Sequence, residues 1–227
     1  MADSSPQRKV GGTSVSVLGL GCMGMSMSVL TGEKRDDQEI FNTLTTAADM
    51  GITLWDTSDF HLDNEDVLSS WFRKTGRRKN IFLATKFGYK HGPRGLGDVQ
   101  ISGSPETPIE KTVGALAELK QAGKIRHIGL SECSSRTLER ACKVAKIDAV
   151  QMEFSPFAMR IEDTGFKDVA RKLGVTISRA DFGSNEPRPR MHPRFSEENF
   201  PENLKLVRIF EDIAKEKDSA TGQVALA

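Results

Sequence analysis

The sequence predicts an α/β protein built on a parallel sheet. Six short apolar runs alternate with amphipathic helical segments along the 227 residues. Neighbouring parallel strands need helical crossovers, so this alternation at short spacing indicates parallel pairing. A doubly wound sheet and a (β/α)8 barrel both satisfy the pattern. A complete barrel typically needs eight units over ~250 residues, and this chain is short of both.

The first elements follow from apolar spacing and from polar or glycine boundaries. Residues 1–9 are predicted to be a polar tail, and residues 15–20 a buried strand. A helix capped by Asp36 or Asp37 should run to Met50, because apolar residues recur there at helical spacing.

The next two strands enclose a second helix. The second strand starts at Ile52, after Gly51 ends the first helix. Asn64 is predicted to cap a helix over residues 65–73. A basic turn then leads into the strand over residues 81–85.

The remaining elements repeat the same alternation. They are a glycine-rich loop over 87–107, a helix over 108–122, a strand over 125–131, a helix capped by Ser134 or Ser135, a strand over 148–154, a helix over 163–172, a strand over 175–178, a loop over 180–196 and a helix from Pro201 to about Lys217.

Composition predicts a soluble globular protein of the cytoplasm. The chain is 37% hydrophobic and 28% charged, with a net charge of +1, so nothing favours nucleic acid or a membrane as a partner. Its three cysteines have no metal-ligand spacing, which indicates reduced thiols and no metal site. The N-terminus lacks the apolar stretch of a signal peptide.

An acid and a base follow two neighbouring predicted strands. The second strand ends in Asp56, and Lys86 follows the third. The carboxyl ends of parallel strands meet at one edge of a sheet or barrel, so the two side chains should form one site there. His61 lies in the loop after Asp56 and is the third candidate residue.

The glycines of residues 19–24 match the G-x-G-x-x-G dinucleotide fingerprint. That fingerprint binds pyrophosphate where its third glycine opens a helix. Here the next predicted helix starts near Asp36, after a break at Thr31 and Gly32. The motif therefore predicts a tight strand-to-loop turn whose backbone lines a pocket, with a Rossmann site as the alternative.

Six segments together resemble the aldo-keto reductase family. They occur in the family's order over most of the chain, and they are similar to the branch of plant, fungal and bacterial reductases that also resembles potassium-channel beta subunits. The segments are residues 18–26 (LGLGCMGMS), 51–59 (GITLWDTSD), 84–88 (ATKFG), 123–132 (GKIRHIGLSE), 149–155 (AVQMEFS) and 193–201 (PRFSEENFP).

The resemblance implies a single (β/α)8 barrel domain over residues 1–227 that reduces aldehydes and ketones with NADPH. In the family, a tyrosine gives the proton, helped by a lysine paired with an aspartate and by a histidine. Asp56 and Lys86 match that aspartate and lysine, and His61 holds the tyrosine's position. The resemblance places the cofactor against Gly21, Cys22, Met23, Asp56, Ser131 and Gln151, and the expected partner is a small carbonyl substrate.

Three departures from the family pattern leave a second function open. His61 beside Lys86 should have a lowered pKa and be mostly neutral, so it is a weaker donor than a phenol helped by an ammonium. The family's helix and strand that carry the site histidine have no counterpart before Pro108. Family segments after Ser178 and after Ala227 are also shortened or absent. A barrel with unpaired edges could instead be an inactive remnant that binds a partner or oligomerises.

Overall fold

A computed structural model of the protein describes residues 6–26, 35–92, 95–101, 107–155, 159–180, 200–221 and 224. The strands in these ranges are β1 Gln7–Val10, β2 Thr13–Ser16, β3 Gly19–Gly21, β4 Leu54–Asp56, β5 Phe82–Ala84, β6 Tyr89–Gly92, β7 Gly95–Ile101, β8 Gly129–Ser131, β9 Ala149–Glu153 and β10 Thr176–Ala180. The α-helices there are α1 Asp37–Asp49, α2 Asn64–Thr75, α3 Ile109–Gln121, α4 Ser135–Val144, α5 Arg160–Asp163, α6 Phe166–Lys172 and α7 Phe200–Glu216. None of these helices is long and apolar enough to cross a membrane.

Six strands form two parallel sheets of three. The first sheet has the order β3-β4-β5 and the second has the order β10-β9-β8. The predicted parallel α/β architecture is therefore confirmed. Within the described residues, no backbone ladder joins β5 to β8 or β3 to β10, so the barrel is incomplete.

Two of the predicted helix starts are confirmed in atomic detail. The Asp36 carboxylate accepts hydrogen bonds from the backbone N–H groups of Gln38, at 2.9 Å, and Glu39, at 3.1 Å. The Ser134 hydroxyl accepts from the N–H of Thr137 at 3.1 Å. These bonds satisfy N–H groups that have no partner within their own helix.

The first half of the molecule is the sheet β3-β4-β5 with helices α1 and α2, and two tryptophans dominate its core. Trp55 in β4 and Trp71 in α2 are fully buried, and their ring centroids lie 4.9 Å apart. They pack with Leu44 of α1 and with Leu68. Side chains alternate across a strand, so Trp55 faces the helices while Asp56 faces the other side of the sheet.

The second half is the sheet β10-β9-β8 with helices α3 to α6, and its core contains no tryptophan. Leu138 and Ala141 of α4 pack with Val150 of β9 and with Phe166 and Ala170 of α6, and all five are buried. The two cores are separate clusters, each lying between one sheet and its own helices.

An N-terminal hairpin contacts both halves. Strands β1 and β2 pair antiparallel, and the Ser16 hydroxyl oxygen accepts from the N–H of Thr53 at 2.9 Å. The Thr13 hydroxyl lies 2.9 Å from Nε2 of His127, whose ring stacks on Phe82. The hairpin therefore connects segments at the amino ends of both sheets.

Several predicted boundaries are wrong. The tail predicted over residues 1–9 includes strand β1, and the strand predicted over 15–20 is split between β2 and β3. The loop predicted over 87–107 contains the antiparallel hairpin β6-β7. The helix predicted over 163–172 is divided by Gly165, whose φ is 67°. Nearly all of the predicted 180–196 loop lies outside the described residues.

Candidate active site

The carboxyl ends of the first sheet are in register. Gly21 pairs with Asp56, and Asp56 pairs with Ala84. Beyond the strand end, the Cys22 N–H donates to the Asp56 carbonyl at 2.8 Å. Lys86 follows β5 by two residues, so these ends bring the glycine motif, an acid and a base together.

The Lys86 ammonium is held by three oxygens. Its Nζ lies 2.6 Å from each Asp56 carboxylate oxygen and 3.0 Å from the Thr57 carbonyl. An ammonium has three donors, so each has an acceptor. The two side chains are 22% and 25% exposed, which makes this a partly buried ion pair. The prediction that Asp56 and Lys86 meet at the strand ends is confirmed.

His61 lies in the turn that follows the acid. The backbone N–H of His61 donates to the Ser58 carbonyl at 3.1 Å, and the His61 carbonyl accepts from the backbone N–H of Asn64 at 3.1 Å. Its Nδ1 is buried and has no hydrogen-bond partner. Burial and, next, the charge of Lys86 lower the pKa of His61 below its usual 6.5. The predicted neutral imidazole is thus supported by its surroundings.

The glycine motif does not open an α-helix. It continues as a 3-10 turn over Met23–Ser26, which removes the context that a dinucleotide fingerprint needs. A Cβ built on Gly21 would meet no atom within 4 Å, so open space lies beside this backbone. Burial and the neighbouring Asp56 charge raise the pKa of the Cys22 thiol to about 12, which keeps that thiol protonated.

Asn64 has a different place from the one predicted. It is the first residue of α2 rather than its cap, and its side chain is fully buried. It bonds to the glycine turn (residues 21–26) and to Thr57 instead of to the helix. The sequence pattern missed this because a capping residue and a buried polar residue both precede an apolar helix face.

Ser131 and Gln151 lie side by side at the carboxyl end of the second sheet. They are register partners in β8 and β9, so their side chains leave the same face. The Glu132 N–H then donates to the Gln151 carbonyl at 2.9 Å, with Glu132 at a φ of 47°. Across the described ranges, no group of three or more His, Cys, Asp or Glu side chains could hold a metal ion.

Comparison with known proteins places this geometry in a family. The model of the Aldo/keto reductase family matches residues 17–101 and 102–227. The chain belongs to the aldo/keto reductase family. The predicted resemblance is confirmed, and the doubly wound and Rossmann alternatives are excluded.

Fungal and plant aldo/keto reductases are similar to the chain over nearly its whole length. "Aldo-keto reductase yakc [NADP(+)]" of Schizosaccharomyces pombe is 38% identical over 273 residues, which cover 99% of this chain and 79% of that protein. An aldo-keto reductase of Strobilurus tenacellus is 38% identical over 265 residues, with coverages of 98% and 79%. A probable aldo-keto reductase of Glycine max is 34% identical, with coverages of 95% and 74%.

Solved aldo/keto reductase structures share the fold. A thermostable aldo-keto reductase crystallised with the inhibitor epalrestat is 25% identical, with a TM-score of 0.69 over 97% of this chain and 84% of that one. A glycerol dehydrogenase of Gluconobacter oxydans is 19% identical, with a TM-score of 0.75 over 95% and 80%.

The aldo/keto reductase match is interrupted inside the chain. The family model matches as two segments that meet between residues 101 and 102. The alignments to the two fungal relatives span 273 and 265 positions, more than the 227 residues of this chain. The interruption falls between β5 and β8, which are not paired by a backbone ladder within the described ranges, and it agrees with the internal loss predicted before Pro108.

Proposed function

We propose that the chain binds NADPH at the carboxyl ends of its strands and reduces aldehydes or ketones to alcohols. The observation that carries the proposal is the Lys86 ammonium, held 2.6 Å from both oxygens of Asp56 at the strand ends. The cofactor is supported by the relative from Schizosaccharomyces pombe, which is 38% identical and whose name includes NADP(+).

Side chains at the carboxyl ends of the two sheets are suited to NADPH. The open space beside Gly21 lets the cofactor approach the backbone closely. Ser131 and Gln151 offer a hydroxyl and an amide on one face, the groups that a nicotinamide carboxamide needs as partners. When bound, NADPH supplies the hydride.

Lys86 supplies positive charge to the reaction rather than the proton. A carbonyl that accepts hydride at carbon becomes an alkoxide, and a fixed ammonium stabilises that developing charge. All three donors of Lys86 are already engaged by Asp56 and by the Thr57 carbonyl. Asp56 therefore orients the ammonium, and the proton comes from another group.

His61 is the proton donor in its imidazolium form. A neutral imidazole would have to leave as a costly imidazolate, whereas the imidazolium gives a proton to the alkoxide and becomes neutral. Because burial and Lys86 lower the pKa of His61, this form is scarce near pH 7. We expect slow turnover at neutral pH that rises in acid.

A two-part assay separates binding from turnover. Quenching of NADPH fluorescence measures binding, and loss of NADPH absorbance on addition of an aromatic aldehyde measures reduction. The wild-type protein should do both. Asp56→Asn, which keeps the shape but removes the charge that holds Lys86, should lower turnover about a hundredfold while the protein stays folded.

The outcomes distinguish the two functions raised by the sequence. Binding without turnover at any pH would overturn the reductase proposal and favour a non-catalytic binding protein. Absence of both would overturn the cofactor assignment as well. Equal turnover by Asp56→Asn and wild type would show that the reaction does not use this ion pair.

A further inference from the structure

Asn64 is a fully buried polar residue that joins three segments around the candidate site. Its Nδ2 donates to the Cys22 carbonyl at 2.6 Å and to the Ser26 hydroxyl at 3.2 Å. Its Oδ1 accepts from the Thr57 hydroxyl at 2.6 Å. One side chain thus connects the start of α2, both ends of the Cys22–Ser26 segment and the residue after Asp56.

Two of the three partners of Asn64, Cys22 and Thr57, also contact the site through their backbone. The Cys22 N–H donates to the Asp56 carbonyl, and its carbonyl accepts from the Met25 N–H at 3.0 Å. The Thr57 carbonyl accepts from the Lys86 ammonium at 3.0 Å. A shift of the Asn64 side chain would therefore move the glycine turn relative to the ion pair.

The Asn64 side chain has no role within its own helix. Asp63 is the N-cap residue of α2, and its side chain makes no capping hydrogen bond to this helix end. The amide is instead used entirely between segments, with both its oxygen and its nitrogen engaged. An amide offers a donor and an acceptor, so a carboxylate of the same shape cannot replace it.

We propose that Asn64 is a positioning residue, which holds the glycine turn at the fixed distance from the Asp56–Lys86 pair that NADPH requires. This inference rests on the proposed function, because it assigns the turn to the cofactor pocket. It assigns Asn64 no contact with cofactor or substrate. Loss of the Asn64 amide should therefore disorder the glycine turn and weaken cofactor binding before it lowers the stability of the whole protein.

The reactivity of Cys22 reports the order of the turn independently of NADPH. Cys22 is fully buried, so a thiol reagent reaches it only when the turn opens. Asn64→Asp keeps the acceptor for Thr57 but places a carboxylate oxygen against the Cys22 carbonyl. We expect labelling of Cys22, followed by peptide mass spectrometry, to accelerate about tenfold or more, and the Kd for NADPH to rise by a similar factor.

Ser16→Ala is the matched control. Ser16 is 1% exposed, and its hydroxyl bonds to Thr53, Leu54 and Leu18 at the opposite end of the same sheet. Its loss removes buried hydrogen bonds of comparable number but none at the glycine turn. We expect a lowered melting temperature with Cys22 still protected and NADPH affinity unchanged.

Thr57→Val provides a second variant if Asn64→Asp does not fold. It removes only the donor to Asn64 and should shift both readouts in the same direction, by a smaller factor. The inference would be overturned if Cys22 is labelled at the wild-type rate in folded Asn64→Asp and Thr57→Val. It would also be overturned if Ser16→Ala accelerates the labelling of Cys22 as much as those variants do. If the wild type does not bind NADPH, the proposed function fails, while the labelling rates still decide whether Asn64 holds the turn.

Discussion

Each half of the molecule contains a lysine–aspartate ion pair, and the two pairs lie at opposite ends of their strands. Lys86 and Asp56 meet at the carboxyl ends of the first sheet, where both are about a quarter exposed. Lys120 and Asp148 meet at 2.7 Å before β9, at the amino end of the second sheet, and Asp148 is 3% exposed. The same chemical pair thus lies once, partly exposed, at the carboxyl ends of the strands, and once, with its carboxylate buried, at their amino ends.

The difference follows from the surroundings of each aspartate. Burial opposes ionisation of Asp148, but hydrogen bonds from the Lys120 ammonium and the Ile128 N–H outweigh it and lower the pKa of that carboxyl. These partners tie α3 and β8 to β9. In α/β barrels the carboxyl ends of the strands contain the chemistry and the amino ends provide stability. We therefore assign catalysis to the first pair and stability to the second.

Exchanging either lysine for methionine tests that assignment most strongly. Lys86→Met should lower the rate of aldehyde reduction at least about a hundredfold, because the ammonium that stabilises the alkoxide is lost. Lys120→Met should lower the free energy of unfolding by about 1–3 kcal/mol, because a buried carboxylate loses its hydrogen-bonded cation. Steady-state kinetics and urea denaturation on both variants measure the two effects. A Lys86→Met variant that keeps its rate of reduction, or a Lys120→Met variant that keeps its free energy of unfolding, would contradict the assignment.

A core substitution tests whether the halves unfold separately. The chain has two tryptophans, Trp55 and Trp71, and both lie in the first core. Leu138→Ala should destabilise the second core by about 2–5 kcal/mol. We expect the midpoint of the circular-dichroism transition to move to a lower urea concentration, while the midpoint of the tryptophan-fluorescence transition is unchanged. Equal shifts in both signals would show that the two cores unfold as one unit.

A substitution at the carboxyl end of the second sheet should have a smaller effect. Gln151→Ala removes the amide that we assign to the nicotinamide. Loss of one or two hydrogen bonds should raise the Kd for NADPH about 2- to 10-fold, as measured by fluorescence titration. Lys86→Met should leave that Kd nearly unchanged. A larger effect on Kd from Lys86→Met than from Gln151→Ala would reverse the roles given to the two sheets.

Acid should act on the second pair through Asp148. Its folded-state pKa lies below the ordinary 3.8, so its contribution to stability is fully present above pH 3.8. That contribution is lost as the pH falls through the lower, folded-state pKa. We expect the unfolding free energy of wild type to fall more steeply below about pH 4 than that of Asp148→Asn. Parallel curves would show that this carboxyl is not linked to folding.

The sequence predicted the strand ends better than the contacts between segments. Asp56 and Lys86 could be placed together because each closes an apolar run, and parallel strands bring their ends to one edge. The break between β2 and β3 falls at Val17 and Leu18, two apolar residues that give no sign of a strand end. The buried bonds of Asn64 were not predictable, because its partners Cys22 and Ser26 are about forty residues away and no local pattern records them.

The pH dependence of aldehyde reduction tests the central claim most directly, with wild type compared with His61→Tyr. If His61 donates as imidazolium, the wild-type kcat should rise as the pH falls from about 8 to about 5, because burial and Lys86 lower the pKa of His61 and leave little imidazolium at neutral pH. His61→Tyr should be faster at neutral pH and nearly flat over that range, because a phenol stays protonated there. A flat wild-type profile with no gain in His61→Tyr would contradict the claim that this site reduces carbonyls with His61 as donor.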